Sequence, residues 1–153
     1  MVKLDNKIWQ HENSLTNGTA QPLSALCDQY LVVFFYPRAN TPGCTTESNE
    51  FSARLGEFQA AGCEVVGVSM DSLKKQQNFK TKYEMSMELI ADTDEVLCQA
   101  FDVIKEKKMY GKTFMGIERS TFLLDRQGAV LHDWRKVKVP GHVDEVLTQV
   151  KAL

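Results

Sequence analysis

An apolar run of β-branched and aromatic residues, Leu31-Val32-Val33-Phe34-Phe35-Tyr36, stands just ahead of the stretch Thr41-Pro42-Gly43-Cys44. With almost no polar interruption, the run reads as a central strand covered on both faces. After the stretch, Phe51, Leu55 and Phe58 recur at helical spacing, so the chain must turn from strand to helix between them. Thr41 suits the N-cap and Pro42 the first helical position, because proline tolerates only the first turn of a helix. Cys44 then falls in that first turn, where free backbone N–H groups and the positive end of the helix dipole converge. Such a position favours thiolate, the reactive form, over thiol. Taken alone, a cysteine in an apolar setting is more often an inert core residue. The conjunction of strand, Thr-Pro pair and helix start makes Cys44 a candidate nucleophile instead.

The rest of the chain alternates in the same way. The first helix is expected over 44–61, stopping at Gly62, a natural C-cap residue. Cys63 to Met70 reads as the next buried strand, and Asp71 or Ser72 caps a helix to about Tyr83 with Phe79 on its inner face. Glu88 to Ala91 is a third strand, and Asp92-Thr93-Asp94 opens a helix with Val96, Leu97, Ala100 and Phe101. Val103 to Gly116 reads as a polar connection. Ile117 to Asp125 and Ala129 to Val137 form a hairpin around Arg126-Gln127-Gly128, and Val143, Val146, Leu147 and Val150 mark a closing amphipathic helix. Ahead of the central strand, Ile8-Trp9-Gln10 suggests a short edge strand, Asn17-Gly18 a turn, and Gln21-Pro22-Leu23 a further short segment. Crossover units plus one antiparallel hairpin argue an α/β architecture.

Length and charge narrow the function. The 153 residues, 43% hydrophobic, are expected to form one domain over 1–153 with a core that needs no disulfide staples. A formal charge of −2 offers no basic stripe for nucleic acid, and the one cationic run, Lys105-Glu106-Lys107-Lys108, reads as a solvated loop. Met1 to Asp5 is too polar for a signal peptide and no apolar stretch is long enough to span a bilayer, so a reducing cytoplasm and no membrane contact are expected. The cysteines at 27, 44, 63 and 98 show neither zinc-site pairs nor a Cys-x-x-Cys motif. His11 and His132 have no metal-ligand partners at suitable spacing, and His142 fits a helix N-terminal position after Pro140-Gly141.

The residues Pro37-Arg38-Ala39-Asn40-Thr41-Pro42-Gly43-Cys44-Thr45-Thr46-Glu47 resemble the peroxidatic motif of the peroxiredoxins, and the Thr-Pro-Gly-Cys-Thr form is similar to the bacterioferritin comigratory protein, or peroxiredoxin Q, subgroup. Matching pieces follow in order at Glu64 to Ser72, Glu118-Arg119-Ser120-Thr121-Phe122-Leu123-Leu124-Asp125 and Lys136 to His142. The resemblance runs from about Leu31 to the C-terminus; the Ala-Pro-Asp-Phe opening usual in the family is absent. It implies a thioredoxin-like fold, a mixed central sheet flanked by helices, and a thiol peroxidase acting on hydrogen peroxide and small organic hydroperoxides. Electrons would come from thioredoxin, glutaredoxin or a small thiol, with no metal, haem or flavin, and the protein would be a monomer.

Peroxide reduction needs a thiolate, donors that align the two oxygens, and a group that stabilises charge on the leaving oxygen. Cys44 fits the first role. Thr41 offers a hydroxyl and the amides of Gly43 and Cys44 further donors. Arg119, matching the family's Arg-Ser-Thr-Phe arginine, is the candidate for polarising peroxide and sulfur alike. Pro37 would shield the sulfur, and Glu47, in the first helical turn, would add a hydrogen-bonded role near the pocket. The resulting sulfenic acid must meet a second thiol or risk over-oxidation. Many members of the subgroup keep a resolving cysteine five residues on, where this chain has Asn49, or in the following helix, where Leu73 to Tyr83 has none. Cys63 reads as a core residue and Cys27 as remote, so an external resolving thiol is expected first and Cys98 second. Two other readings are a peroxide sensor or thiol-regulated binding protein using the same sulfenic acid, and a disulfide reductase, which Cys44 ill suits without a neighbouring cysteine.

Overall fold

A computed structural model describes residues 2–153. Its elements, in chain order, are β1 (Val2–Lys3), α1 (Asn6–Trp9), β2 (Glu12–Leu15), β3 (Ala20–Pro22), α2 (Leu23–Leu26), β4 (Tyr30–Phe35), α3 (Pro42–Ala53), α4 (Leu55–Ala60), β5 (Cys63–Ser69), α5 (Leu73–Lys82), β6 (Leu89–Ala91), α6 (Val96–Ala100), β7 (Ile104–Met109), β8 (Lys112–Ile117), β9 (Ser120–Asp125), β10 (Ala129–Trp134) and α7 (His142–Lys151). Eight strands form one mixed sheet in the order β1-β10-β9-β4-β5-β6-β2-β3. The run Leu31–Tyr36 sits at its centre, parallel to β5 on one side and antiparallel to β9 on the other. Parallel pairing demands crossovers, which α3 and α4 provide between β4 and β5, and α5 between β5 and β6.

Strand alternation divides the interior into two cores. Val32, Phe34 and Tyr36 face one side, where α3, α4, α5 and α7 pack through Phe51, Phe58, Phe79 and Val146. Leu31, Val33 and Phe35 face the other, covered by Trp9, Leu23, Leu97 and Phe101 from and beside α1, α2 and α6. Every residue of Leu31–Tyr36 is completely buried, which is why the run lacks polar alternation. None of the described helices is long and apolar enough to cross a membrane.

Three expectations are corrected. Residues 8–10 lie on and after the short helix α1 rather than in an edge strand; Asp5 caps it, its Oδ1 accepting from the Lys7 amide at 2.8 Å. The helix expected over 44–61 is broken at Arg54 into α3 and α4. The polar connection expected over Val103 to Gly116, with the cationic run Lys105 to Lys108 read as a loop, is the two-stranded hairpin β7–β8, with that run on β7 and the turn closed by Tyr110 (φ 52°) and Gly111 (φ 75°). Two successive positive φ angles are the mark of a type I′ turn, whose twist matches the flanking strands. The hairpin around 126–128, the turn at Asn17-Gly18, the Ser72 cap of α5 and the stop at Gly62 fall where the sequence puts them.

Candidate active site

Thr41 is the N-cap residue of α3 with extended backbone (φ −100°, ψ 156°), and Pro42 follows in the first turn. The Thr41 hydroxyl does not cap the helix; it donates to the Arg38 carbonyl at 2.9 Å. The first-turn amides therefore keep no side-chain acceptor and point, with the positive end of the helix, at the cysteine's surroundings. Cys44, in that turn, is 1% exposed.

β9 lies antiparallel to β4, with Ser120 opposite Phe35. That register carries Arg119, the residue before β9, to the C-terminal end of β4 and so to Cys44. Its Nη2 donates to Cys44 Sγ at 3.3 Å, and its Nη1 to Glu47 Oε1 at 2.7 Å. The guanidinium lies so close over the first turn that a Cβ at Gly43 would come within 3.2 Å of Nη2. Burial opposes the charge on Arg119, but Glu47 and Cys44 outweigh it and hold the guanidinium more firmly protonated than usual.

Glu47 lies in the second turn of α3, not the first as expected, because the helix already begins at Pro42, and it is fully buried. Burial raises its pKa to about 7, against the opposing pull of Arg119. Its Oε2 has no hydrogen-bond partner and stands 4.0 Å from Nε2 of His142. His142, the first residue of α7, shares a 2.7 Å hydrogen bond with the Thr121 hydroxyl through the same nitrogen, and burial lowers its pKa to about 4. A chain of side chains thus runs Cys44, Arg119, Glu47, His142 and Thr121, drawn from α3, β9, the residue before β9, and α7. Beneath it, Tyr36 donates to Gln76 Oε1 at 2.6 Å while Gln76 Nε2 donates to the Ile90 carbonyl at 2.9 Å.

Among the residues singled out from sequence, the structure brings Cys44, Arg119 and Glu47 into direct contact and sets Thr41 at the helix start. Pro37 stands half-buried at the end of β4, next to the completely buried Tyr36. Cys98, the second choice for a resolving thiol, lies across the sheet from Cys44: it belongs to the opposite core and is completely buried. Burial, then Asp92, push its pKa far above the ordinary thiol range. Burial likewise raises Cys27 to about 11 and Cys63 to about 12, and all four cysteines are free. Sequence reasoning missed His142 as a site neighbour and Thr121 as its partner. No group of three or more His, Cys, Asp or Glu side chains is placed to hold a metal among the described residues.

Residues 6–133 match the AhpC/TSA family. A protein of Xanthomonas campestris pathovar campestris named peroxiredoxin Bcp is 55% identical over 139 residues, covering 91% of this chain and 87% of that protein. A peroxiredoxin Bcp of Bacillus subtilis is 44% identical, covering 88% and 86%. Among solved structures, Xanthomonas campestris peroxiredoxin Q superposes with a TM-score of 0.93 at 51% identity, over 99% of this chain and 96% of that one. A second structure of that organism's bacterioferritin comigratory protein, described in terms of alkyl peroxide reduction, gives 0.93 at 50% identity over 99% and 97%.

Proposed function

The chain belongs to the AhpC/TSA family, as a thioredoxin-like thiol peroxidase of the peroxiredoxin Bcp type that reduces peroxide at the expense of a thiol, and on that premise we propose that Cys44 is its nucleophile and works without an internal resolving cysteine. The observation that carries the assignment is the 3.3 Å contact between Arg119 Nη2 and Cys44 Sγ. A permanent cation at that distance stabilises negative charge on sulfur and can do the same for a peroxide oxygen as it gains charge. Glu47 fixes the guanidinium from behind. Because the Thr41 proton is committed to the Arg38 carbonyl, the Thr41 oxygen is left to accept from a peroxide O–H, while the first-turn amides donate. Pro37 ends β4 without offering a competing N–H.

The thiolate attacks the terminal oxygen of ROOH; the S–O bond forms, the O–O bond breaks, and RO⁻ leaves and takes up a proton as ROH. Sulfur is oxidised to the sulfenic acid. Hydrogen peroxide and small alkyl hydroperoxides are the expected substrates, in keeping with the alkyl peroxide reduction named for the Xanthomonas relative. The one-cysteine cycle is supported by the burial of Cys63 and Cys98, the raised pKa of all three remaining thiols, and the position of Cys98 across the sheet. Intact mass after one equivalent of hydrogen peroxide, with a sulfenic-acid trap and no reductant, tests both parts. One trap on Cys44 is the expected result; loss of two hydrogens would mean an internal disulfide, and a trap on another cysteine would reassign the nucleophile.

A further inference from the structure

Two buried acids share one guanidinium. Arg119 spans Cys44 and Glu47, its Nη2 on Sγ at 3.3 Å and its Nη1 on Oε1 at 2.7 Å. Both acids are buried, so water does little to offset an unbalanced charge on either. The other titratable groups facing Glu47 are Glu50 on its own helix and His142 from α7. Glu50 is a third acid and opposes ionisation of Glu47. His142 offers no cation: burial keeps its ring neutral down to about pH 4, and its Nε2 is taken by the Thr121 hydroxyl at 2.7 Å. Lys107 of β7 also acts on Cys44, but it is partly exposed and water screens it.

The second oxygen of Glu47 is the odd atom of this centre. Oε2 is buried without a hydrogen-bond partner, 4.0 Å from His142 Nε2. Ionised, Glu47 leaves a charged oxygen there with no donor. Protonated, it holds the proton on Oε2 while Oε1 goes on accepting from Arg119. Burial already raises its pKa to about 7, and a thiolate at the other end of the guanidinium adds a like charge that holds the proton more firmly. Once sulfur has become a neutral sulfenic acid, that extra hold is gone and Arg119 is left facing Glu47 alone.

We propose that Glu47 is a positioning residue that acts through Arg119 as a proton store, carrying a proton on Oε2 while Cys44 is thiolate and releasing it as Cys44 is oxidised; the inference rests on Cys44 being the thiolate nucleophile. In the oxidation step the S–O bond forms and the O–O bond breaks, and RO⁻ carries away the negative charge that sulfur held. RO⁻ takes a proton from solvent and becomes ROH; Glu47 returns one to solvent and becomes carboxylate. The guanidinium thus faces one buried anion before the step and one after it, and the step draws no net proton from outside. When two molecules of an external thiol later reduce the sulfenic acid to thiolate, giving their disulfide and water, one of their protons returns to Glu47.

The test counts protons. Reduced protein in weak buffer at about pH 8 is mixed with one equivalent of hydrogen peroxide; proton uptake is read from a pH indicator and the loss of thiolate from its ultraviolet absorbance. The unaltered chain should take up close to no proton per thiolate lost, and Glu47→Gln, which has no acid to ionise, about one more. A Glu47 that merely braced Arg119 would change the rate of oxidation and leave this count alone. The infrared difference spectrum of the unaltered chain should at the same time lose a buried protonated-carboxyl band, a readout that needs no variant to fold. A difference in uptake of less than about half a proton between the two proteins, or an unchanged carboxyl band, overturns the proposal. A reduced chain with no thiolate absorbance that Cys44→Ser removes would bring down the nucleophile assignment as well, and would be seen before peroxide is added.

Discussion

Glu47 Oε2 and His142 Nε2 face each other at 4.0 Å inside the protein, and neither hydrogen-bonds the other. Their shifts oppose. Burial raises the acid from 4.5 to about 7, so the folded state holds a proton the unfolded chain would release, and the associated stability is lost as pH rises from about 4.5 to 7. Burial lowers the base from 6.5 to about 4, so the folded state refuses a proton the unfolded chain would take, and that stability is lost as pH falls from about 6.5 to 4. Each amounts to roughly 3 kcal/mol, and between about pH 4.5 and 6.5 they cancel. Denaturation midpoints of the unaltered chain should therefore be flat across that window as far as this pair is concerned. Glu47→Gln should lose stability as pH falls from 6.5, and His142→Asn should lose it as pH rises from 4.5. Parallel pH profiles in the two variants would contradict the arrangement.

Arg119→Ala removes the donor to sulfur and to the leaving oxygen together. The single-turnover rate constant for hydrogen peroxide should fall by about 10² to 10³ in a folded protein. Arg119→Lys keeps the charge but cannot span Cys44 and Glu47 at once, so it should recover only part of the loss by stopped-flow fluorescence.

Gly43→Ala tests the close approach of the guanidinium. The new Cβ, 3.2 Å from Nη2, must shift the guanidinium by a few tenths of an ångström, and oxidation should slow by about threefold to tenfold because reacting groups tolerate little displacement. Helix propensity moves the other way, so thermal stability should hold or rise by about 0.5 kcal/mol.

Cys44→Ser should abolish peroxide consumption. Cys98→Ala should leave turnover with an external thiol unchanged per folded molecule, at a cost of about 1 kcal/mol for the small cavity. A Cys98 variant that accumulated over-oxidised Cys44 would reinstate it as a resolving thiol.

The centre of the fold could be read in advance because Leu31–Tyr36 is buried on both faces and so shows as an unbroken apolar run, and because Thr41-Pro42 marks a helix start through backbone constraints that act locally. The β7–β8 hairpin left no such trace: exposed Met109, Tyr110, Phe114 and Met115 share it with Lys105, Lys107, Lys108 and Lys112 on strands that belong to no larger sheet, so neither face carries a continuous hydrophobic pattern, and Tyr110 gives little hint of a positive φ. α1 was hidden by its brevity, with only the Asp5 cap to betray it. In the site, Arg119 could be paired with Cys44 through a strand returning beside the first. The contact of His142 with Thr121 and its approach to Glu47 depend on where α7 docks, and the lone oxygen of Glu47 on how completely the interior closes over it; neither is encoded within a short window of residues.

The guanidinium that completes the centre comes from 75 residues beyond the sulfur. A ribosome making this chain releases Cys44 long before Arg119 has been synthesised, and β9 must still find its place beside β4 before the two can meet. Order of synthesis thus acts as a timer: the cysteine passes through its most exposed period without the residue that arms it, and reactivity toward peroxide becomes a readout of a closed sheet.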